Sequence, residues 1–478
     1  MNTSIGFHTF TIRRKIHGKD AKKLYRDFNK YRDDTKEIKF YVPSYEMKSI
    51  NIRKGLRTHG IKIPEGPSVW NINYTADYPK GISWTFRFCY NVDFKGFIIE
   101  ARINPKILAG IKDYITASNS SYLQVVEERF NEEAGKISDI LGQFNAYTPK
   151  RVDFCINFDL KELGIGCTPE QMMQLIKMGN YPSYFKEWQC YDKISHRKKS
   201  PKYSFYLTSG TTNINCYYKY KQLEKEYPDC PNIEDALHII RFEVQCKYRK
   251  TRKTRNIMFA ERKRMEKERE ELIKKYRDKH GGNYDVAHFE NFIHRMMNDP
   301  IKIIHRMLSD TTAETVIEKY FKQIIGHGDY YTLKRAIEIV EDQDFTPQKE
   351  ADIIYVLKEV NRHGVAKLRE SLLPDVPPKF YRILETLAKL NINPVTIPKS
   401  FGVKHIPNLL DAFNKLRGSG LGTSTHDDPF EPLEKPFEIR TNNIFDDKDN
   451  NDDNDNLFES SDPAQDTEPE YEDIICFK

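Results

Sequence analysis

Residues 212–221 read Thr212-Asn213-Ile214-Asn215-Cys216-Tyr217-Tyr218-Lys219-Tyr220-Lys221. In a strand, where side chains alternate between faces, this run puts Ile214, Cys216, Tyr218 and Tyr220 on one side and Asn215, Tyr217, Lys219 and Lys221 on the other. The first side asks for a core, and the second carries chemistry. Residues 238–247 repeat the pattern, with Ile240, Phe242, Val244 and Cys246 inward and Arg241, Glu243 and Gln245 outward. Side by side, the two runs bring a tyrosine, a lysine, an arginine and a carboxylate to one sheet face.

Upstream, Arg151-Val152-Asp153-Phe154-Cys155-Ile156-Asn157-Phe158-Asp159 is the clearest alternation in the chain, with Val152, Phe154, Ile156 and Phe158 apolar and Arg151, Asp153, Asn157 and Asp159 opposite. Residues 82–90 and 96–103 alternate in the same way, joined by a hairpin loop at 91–95. Asn104-Pro105 ends the second of these strands and opens a helix. Further helices are expected over 121–141 and, capped by Thr168 ahead of Pro169, through Lys177. Strands interleaved with two or three helices make an α+β domain: an antiparallel or mixed sheet of nuclease type, with helices on one face and the other face free.

The cut falls near residue 250. Residues 1–250 form this sheet domain, 251–286 a basic helical connector broken at Gly281-Gly282-Asn283, 287–416 a helical C-terminal domain, and 417–478 a linker and acidic tail. The helical domain carries apolar spacing in Ile301, Ile304 and Leu308 and in Leu333, Ile337 and Val340. Its helices at 332–341, 346–361 and 378–390 suit a small winged-helix DNA-binding unit or plain helix packing.

Hydrophobic residues make up 38% of the 478 and charged residues 31%; with no apolar run near the roughly 20 residues of a membrane span and no signal core, the expectation is a cytoplasmic protein without membrane association. The eight cysteines form no C-x-x-C pair, and Cys89, Cys155, Cys216 and Cys246 fall in strands, which favours buried free thiols. The net charge of +6 conceals an asymmetry: residues 441–478 carry about −11, leaving about +17 on the body. A basic body, with unmixed positive charge at 247–255, is the footprint of a nucleic-acid binder; the tail has the composition of disorder.

On the polar faces, Glu100, Asp153 and Glu243 supply oxygens suited to a hard divalent cation, Mg²⁺ or Mn²⁺, rather than zinc. A tyrosine beside such a cation can attack a phosphodiester, because the cation offsets a phenol pKa near 10. The bland alternative is a set of solvated sheet-face charges.

Four motifs, in order and approximate spacing, resemble the replication initiation factor family, which comprises rolling-circle plasmid initiators and related phage and transposon replication proteins. They are Arg-Val-Asp at 151–153, Ser-Gly-Thr-Thr-Asn-Ile-Asn-Cys-Tyr-Tyr-Lys at 209–219, Leu-Glu-Lys-Glu at 223–226 and Arg-Phe-Glu at 241–243. The resemblance covers about residues 80–250. It implies that Tyr217 is the nicking tyrosine, Lys219 its companion and Asp153 and Glu243 the metal ligands, with Arg241 opening the Arg-x-Glu motif beside them; Glu100, from the reading of the strand faces, is the third candidate ligand. It also implies a 5′-phosphotyrosine intermediate and a 3′-OH primer on origin DNA.

The partners expected are double-stranded origin DNA, single-stranded DNA, a host helicase and replication proteins, and a second copy in a homodimer. Asn215 stands where the family often carries arginine, and Tyr218 and Tyr220 are rival nucleophiles. No His-x-His pair occurs among the 13 histidines. The alternatives are a non-catalytic origin- or operator-binding protein on the same fold and a conjugative relaxase.

Overall fold

A computed structural model describes residues 3–41, 69–74, 80–90, 95–192, 197–199, 201–280, 302–372 and 377–418. Residues 91–94 of the loop expected at 91–95, the helix break at 281–283 and the acidic tail lie outside them, and Lys95 is the first residue of a strand. Within them the architecture is α+β, built on one antiparallel sheet of ten strands.

The sheet has a middle and two wings. In the middle, β1 (Ser4–Ile16) lies between β5 (Lys95–Ile103) and β6 (Thr148–Asp159). One wing continues from β5 through β4 (Ile82–Tyr90) and β3 (Val69–Tyr74) to β2 (Ile38–Tyr41). The other continues from β6 through β12 (Ile239–Cys246), β11 (Thr212–Tyr218) and β10 (Ser204–Thr208) to β7 (Lys186–Glu187). A separate ribbon pairs β8 (Cys190–Asp192) with β9 (Arg197–Lys199).

β1 was not legible as a strand, and its register shows why. Phe7, Phe10 and Ile12 are all in the core, yet Phe7 and Phe10 are an odd number of residues apart and belong on opposite faces of a regular strand. A bulge between Phe7 and Thr9 absorbs the extra residue, since Phe7 pairs with Phe154 and Thr9 with Asp153. The change of parity turns both phenylalanines to the core and leaves His8 over the polar face beside Glu243.

Helices cover the apolar face. α1 (Gly18–Thr35), α2 (Pro105–Leu108) and α3 (Leu123–Ile137) serve the first wing, where Trp84 meets Phe28 and Phe130. α4 (Pro169–Lys177) starts with a full capping box between Thr168 and Gln171 and sets Met173 against Cys216 of β11. Next in the chain are α5 (Lys219–Glu226), α6 (Tyr248–His280) and the single turn α7 (Ile303–Met307).

α8 (Asp310–Ile325) buries Ala313, Val316, Ile317, Tyr320, Phe321 and Ile324, one stripe of its surface, against the sheet. Phe321 stacks on Phe158 with ring centroids 5.0 Å apart and meets Phe242 edge-on at 5.1 Å. The helices expected downstream follow as α9 (Leu333–Glu341), α10 (Pro347–His363), α11 (Val365–Ser371), α12 (Pro378–Lys389) and α13 (Leu409–Gly418). Their buried residues join those of the sheet in one continuous core. Among the described residues no helix is long and apolar enough to cross a membrane.

One expectation is corrected here. The strand expected over 212–221 ends at Tyr218, and Lys219 is the first residue of α5. Lys-Tyr-Lys-Gln-Leu-Glu-Lys-Glu is rich in helix formers, and burial of Lys219, Gln222 and Leu223 follows the i, i+3, i+4 spacing of a helix face. Tyr220 therefore leaves the sheet and sits half-buried beside a small apolar cluster.

Candidate active site

Three rows cross the polar face from β11 to β1. Tyr217, Arg241, Asn157 and Ser4 form one; Asn215, Glu243, Cys155 and Gly6 the next; Asn213, Gln245, Asp153 and Thr9 the third. Strand alternation and register together place the chemistry of distant segments side by side. Every one of these residues except Ser4 is buried, with Tyr217 only 1% exposed and Arg241 0%.

The Tyr217 hydroxyl donates to Glu243 Oε1 at 2.7 Å. His8 Nδ1 lies 3.4 Å and Arg241 Nη1 3.8 Å from the same oxygen. Arg241 Nε donates to Asn157 Oδ1 at 2.7 Å and Nη2 to the Ile115 carbonyl, while Nη1 makes no hydrogen bond. Lys219, carried in from the start of α5, is buried and donates to Gln222 Oε1 at 2.6 Å. Tyr217, Lys219, Arg241 and Glu243 are thus brought together.

Burial governs the charges. It pushes the Tyr217 hydroxyl well above its ordinary range, reinforced by the Glu243 carboxylate. It raises Glu243 above the usual carboxylate range against the pull of Arg241, which makes Glu243 a better proton acceptor. Lys219 falls well below its ordinary value through burial and then through Arg241. A tyrosine hydroxyl hydrogen-bonded to a carboxylate of enhanced basicity, beside a cationic donor, can pass its proton to that carboxylate.

The three carboxylates proposed as metal ligands are not brought together in the same way. Asp153 is engaged by Arg151 through Nε (2.7 Å) and Nη2 (2.8 Å) and by the Thr9 hydroxyl (2.5 Å), so both its oxygens are occupied. Glu100 accepts from Lys150 at 3.0 Å. It pairs with Arg13 on β1, four residues from the Thr9 that faces Asp153, about 13 Å along the strand. Among the described residues no three His, Cys, Asp or Glu side chains are grouped to hold a metal ion. As paired, the set does not fit a divalent cation: one carboxylate is saturated by a guanidinium, one is remote, and Glu243 faces Arg241.

The strand pattern did not point to His8, to Asn157 as a partner of Arg241, or to the Ile115 carbonyl. The only available signal for His8 was the odd spacing of Phe7 and Phe10. Burial, followed by the Arg241 and Lys219 charges, holds the His8 imidazole well below its ordinary value. The unfolded chain takes up a proton as pH falls through about 6.5 and the folded chain does not, so the His8 contribution to stability is present above that pH and lost below it. Between about pH 7.5 and about pH 5.5, the urea midpoint of the wild type is expected to fall further than that of His8→Gln. Equal falls would show that His8 titrates alike in both states.

No protein-family model matches the chain, and no curated protein matches it. Among solved structures it is similar to the rolling circle replication initiator protein from Geobacillus stearothermophilus. The identity is 10%, the coverage 51% of this chain and 74% of that one, and the TM-score 0.23. A score of 0.23 is too low to carry a residue or a reaction over to this chain.

Proposed function

We propose that the protein is a DNA nicking and joining enzyme of the rolling-circle initiator type, in which Tyr217 is the nucleophile and Glu243 its general base. The observation that carries this reading is the 2.7 Å bond from the Tyr217 hydroxyl to Glu243, next to Arg241. Tyr217 Oη forms a bond to phosphorus as the bond from phosphorus to the 3′ oxygen breaks. The tyrosine proton passes to Glu243, which returns it to the departing oxygen. The products are a 5′-phosphotyrosine and a free 3′-OH, and the reverse reaction rejoins the strand without ATP. Arg241 offers its guanidinium to the charge on the phosphoryl oxygens, and the basic body holds the DNA.

Burial of Tyr217 favours a second reading, a non-catalytic origin- or operator-binding protein in which the same residues only stabilise the sheet. The two separate on supercoiled DNA carrying the protein's own gene. Nicking should leave a denaturant-resistant protein–DNA adduct whose nucleotide maps to the peptide bearing Tyr217. Binding without an adduct supports the second reading, and an adduct on Tyr218 moves the nucleophile by one residue.

A further inference from the structure

The row that ends at Tyr217 is covered by a strap of backbone, residues 113–118. Ala117 N donates to Ser4 Oγ at 3.1 Å. One position on, the Ile115 carbonyl accepts from Asn157 Nδ2 at 2.7 Å and from Arg241 Nη2. The strap is pressed onto the sheet at Gly6, where a Cβ would stand 1.9 Å from the Ser118 oxygen, so only glycine admits it.

Beneath the strap the hydrogen bonding is incomplete. A carbonyl oxygen is one neutral acceptor; it satisfies Asn157 and Nη2 but leaves Nη1 of a fully buried guanidinium without a hydrogen bond, with only the Glu243 carboxylate 3.8 Å away. A phosphate presents several anionic oxygens, and one placed here would meet both the donors that Ile115 occupies and the donor it leaves empty. The strap is also held by little apolar surface. Ile115 belongs to a five-residue cluster with Leu223, Cys230, Ala236 and Ile239, separate from the main core. At one end the strap is fastened by the Lys106–Asp113 pair at 2.6 Å and by Tyr114, whose ring lies 4.6 Å from that of the 38%-exposed Tyr227, and at the other by two backbone hydrogen bonds between Ser118 and Phe7 at 2.8 and 3.0 Å.

We infer that Arg241 and Asn157 form a seat for a backbone phosphate of single-stranded DNA, and that the Ile115 strap is an autoinhibitory plug which occupies it until the strand displaces it. This rests on the reading of Tyr217 as a nucleophile, because the seat adjoins its hydroxyl, but its test does not depend on nicking.

In a Tyr217→Phe background, which forms no covalent bond, Tyr227→Ala removes the ring clasp without changing charge, and Asp113→Asn removes the ionic one. Each should tighten binding of a short single-stranded oligodeoxynucleotide, measured by fluorescence anisotropy, by about tenfold, the gain expected if the seat is open about a tenth of the time before release. The same oligonucleotide should speed amide hydrogen exchange at Thr116, Ala117 and Ser118 in the unmodified strap. Unchanged affinity in Tyr227→Ala overturns the proposal even if Asp113→Asn tightens, because loss of negative charge explains the latter alone. Unchanged exchange on binding overturns it too. Tighter binding with faster exchange, in a protein whose wild type forms no adduct, keeps the strap and removes the nicking reading.

Discussion

Arg241→Met is expected to lower the stability of the folded chain by about 3–5 kcal/mol, the cost typical of removing one partner from a buried ion pair. The loss does not come from the strength of one contact. The Arg241 side chain is 0% exposed and serves Asn157 Oδ1 and the Ile115 carbonyl at once, with Glu243 Oε1 3.8 Å away. Methionine fills much of the volume but leaves a buried carboxylate without its cation and Asn157 Oδ1 without its donor, while the Ile115 carbonyl keeps only Asn157 Nδ2.

The same account makes Arg241→Met/Glu243→Gln less destabilised than the sum of the single variants, because the second change removes the charge that the first exposes. Urea unfolding of the four proteins checks both statements. A loss under about 1 kcal/mol for the single variant, or simple additivity in the pair, would mean that Arg241 does not compensate Glu243. Arg241→Lys should also be destabilised, since an ammonium cannot reproduce the planar fork that reaches two acceptors in different directions.

What the sequence made legible follows from which forces are local. The faces of β6, β11 and β12 were readable because alternation is enforced residue by residue. The grouping of Tyr217, Arg241 and Glu243 was readable because register in a sheet follows from that alternation. Lys219 reached the site by another route: the strand ends one residue earlier and a helix turns the lysine in, a switch that the run Tyr218-Lys219-Tyr220-Lys221 disguises as further alternation. β1 was hidden by its bulge. The strap was hidden because its decisive contact joins Ile115 to Arg241, 126 residues away, and runs through a backbone carbonyl that any residue type provides. The pairing of the carboxylates was hidden for a related reason: a strand face shows which carboxylates share a side, but not that Arg151, two residues from Asp153 on the same strand, closes over both its oxygens.

If Glu243 takes the proton from Tyr217, the rate of adduct formation must follow the ionisation of Glu243 and not that of the tyrosine. Burial raises both groups, so near neutral pH the phenol is protonated and the fraction of Glu243 that is ionised sets the amount of competent base. The rate should therefore rise with pH through the elevated Glu243 value and then level off while the tyrosine is still protonated. Glu243→Gln keeps an acceptor oxygen for the Tyr217 hydroxyl but cannot take a proton. It should slow adduct formation by about 10²–10⁴-fold and abolish the rise with pH. Tyr217→Phe, with no nucleophile, sets the zero of the assay. A Gln variant that retains the wild-type pH profile at reduced rate would show that another group accepts the proton, and a variant as fast as the wild type would leave the 2.7 Å bond a purely structural contact.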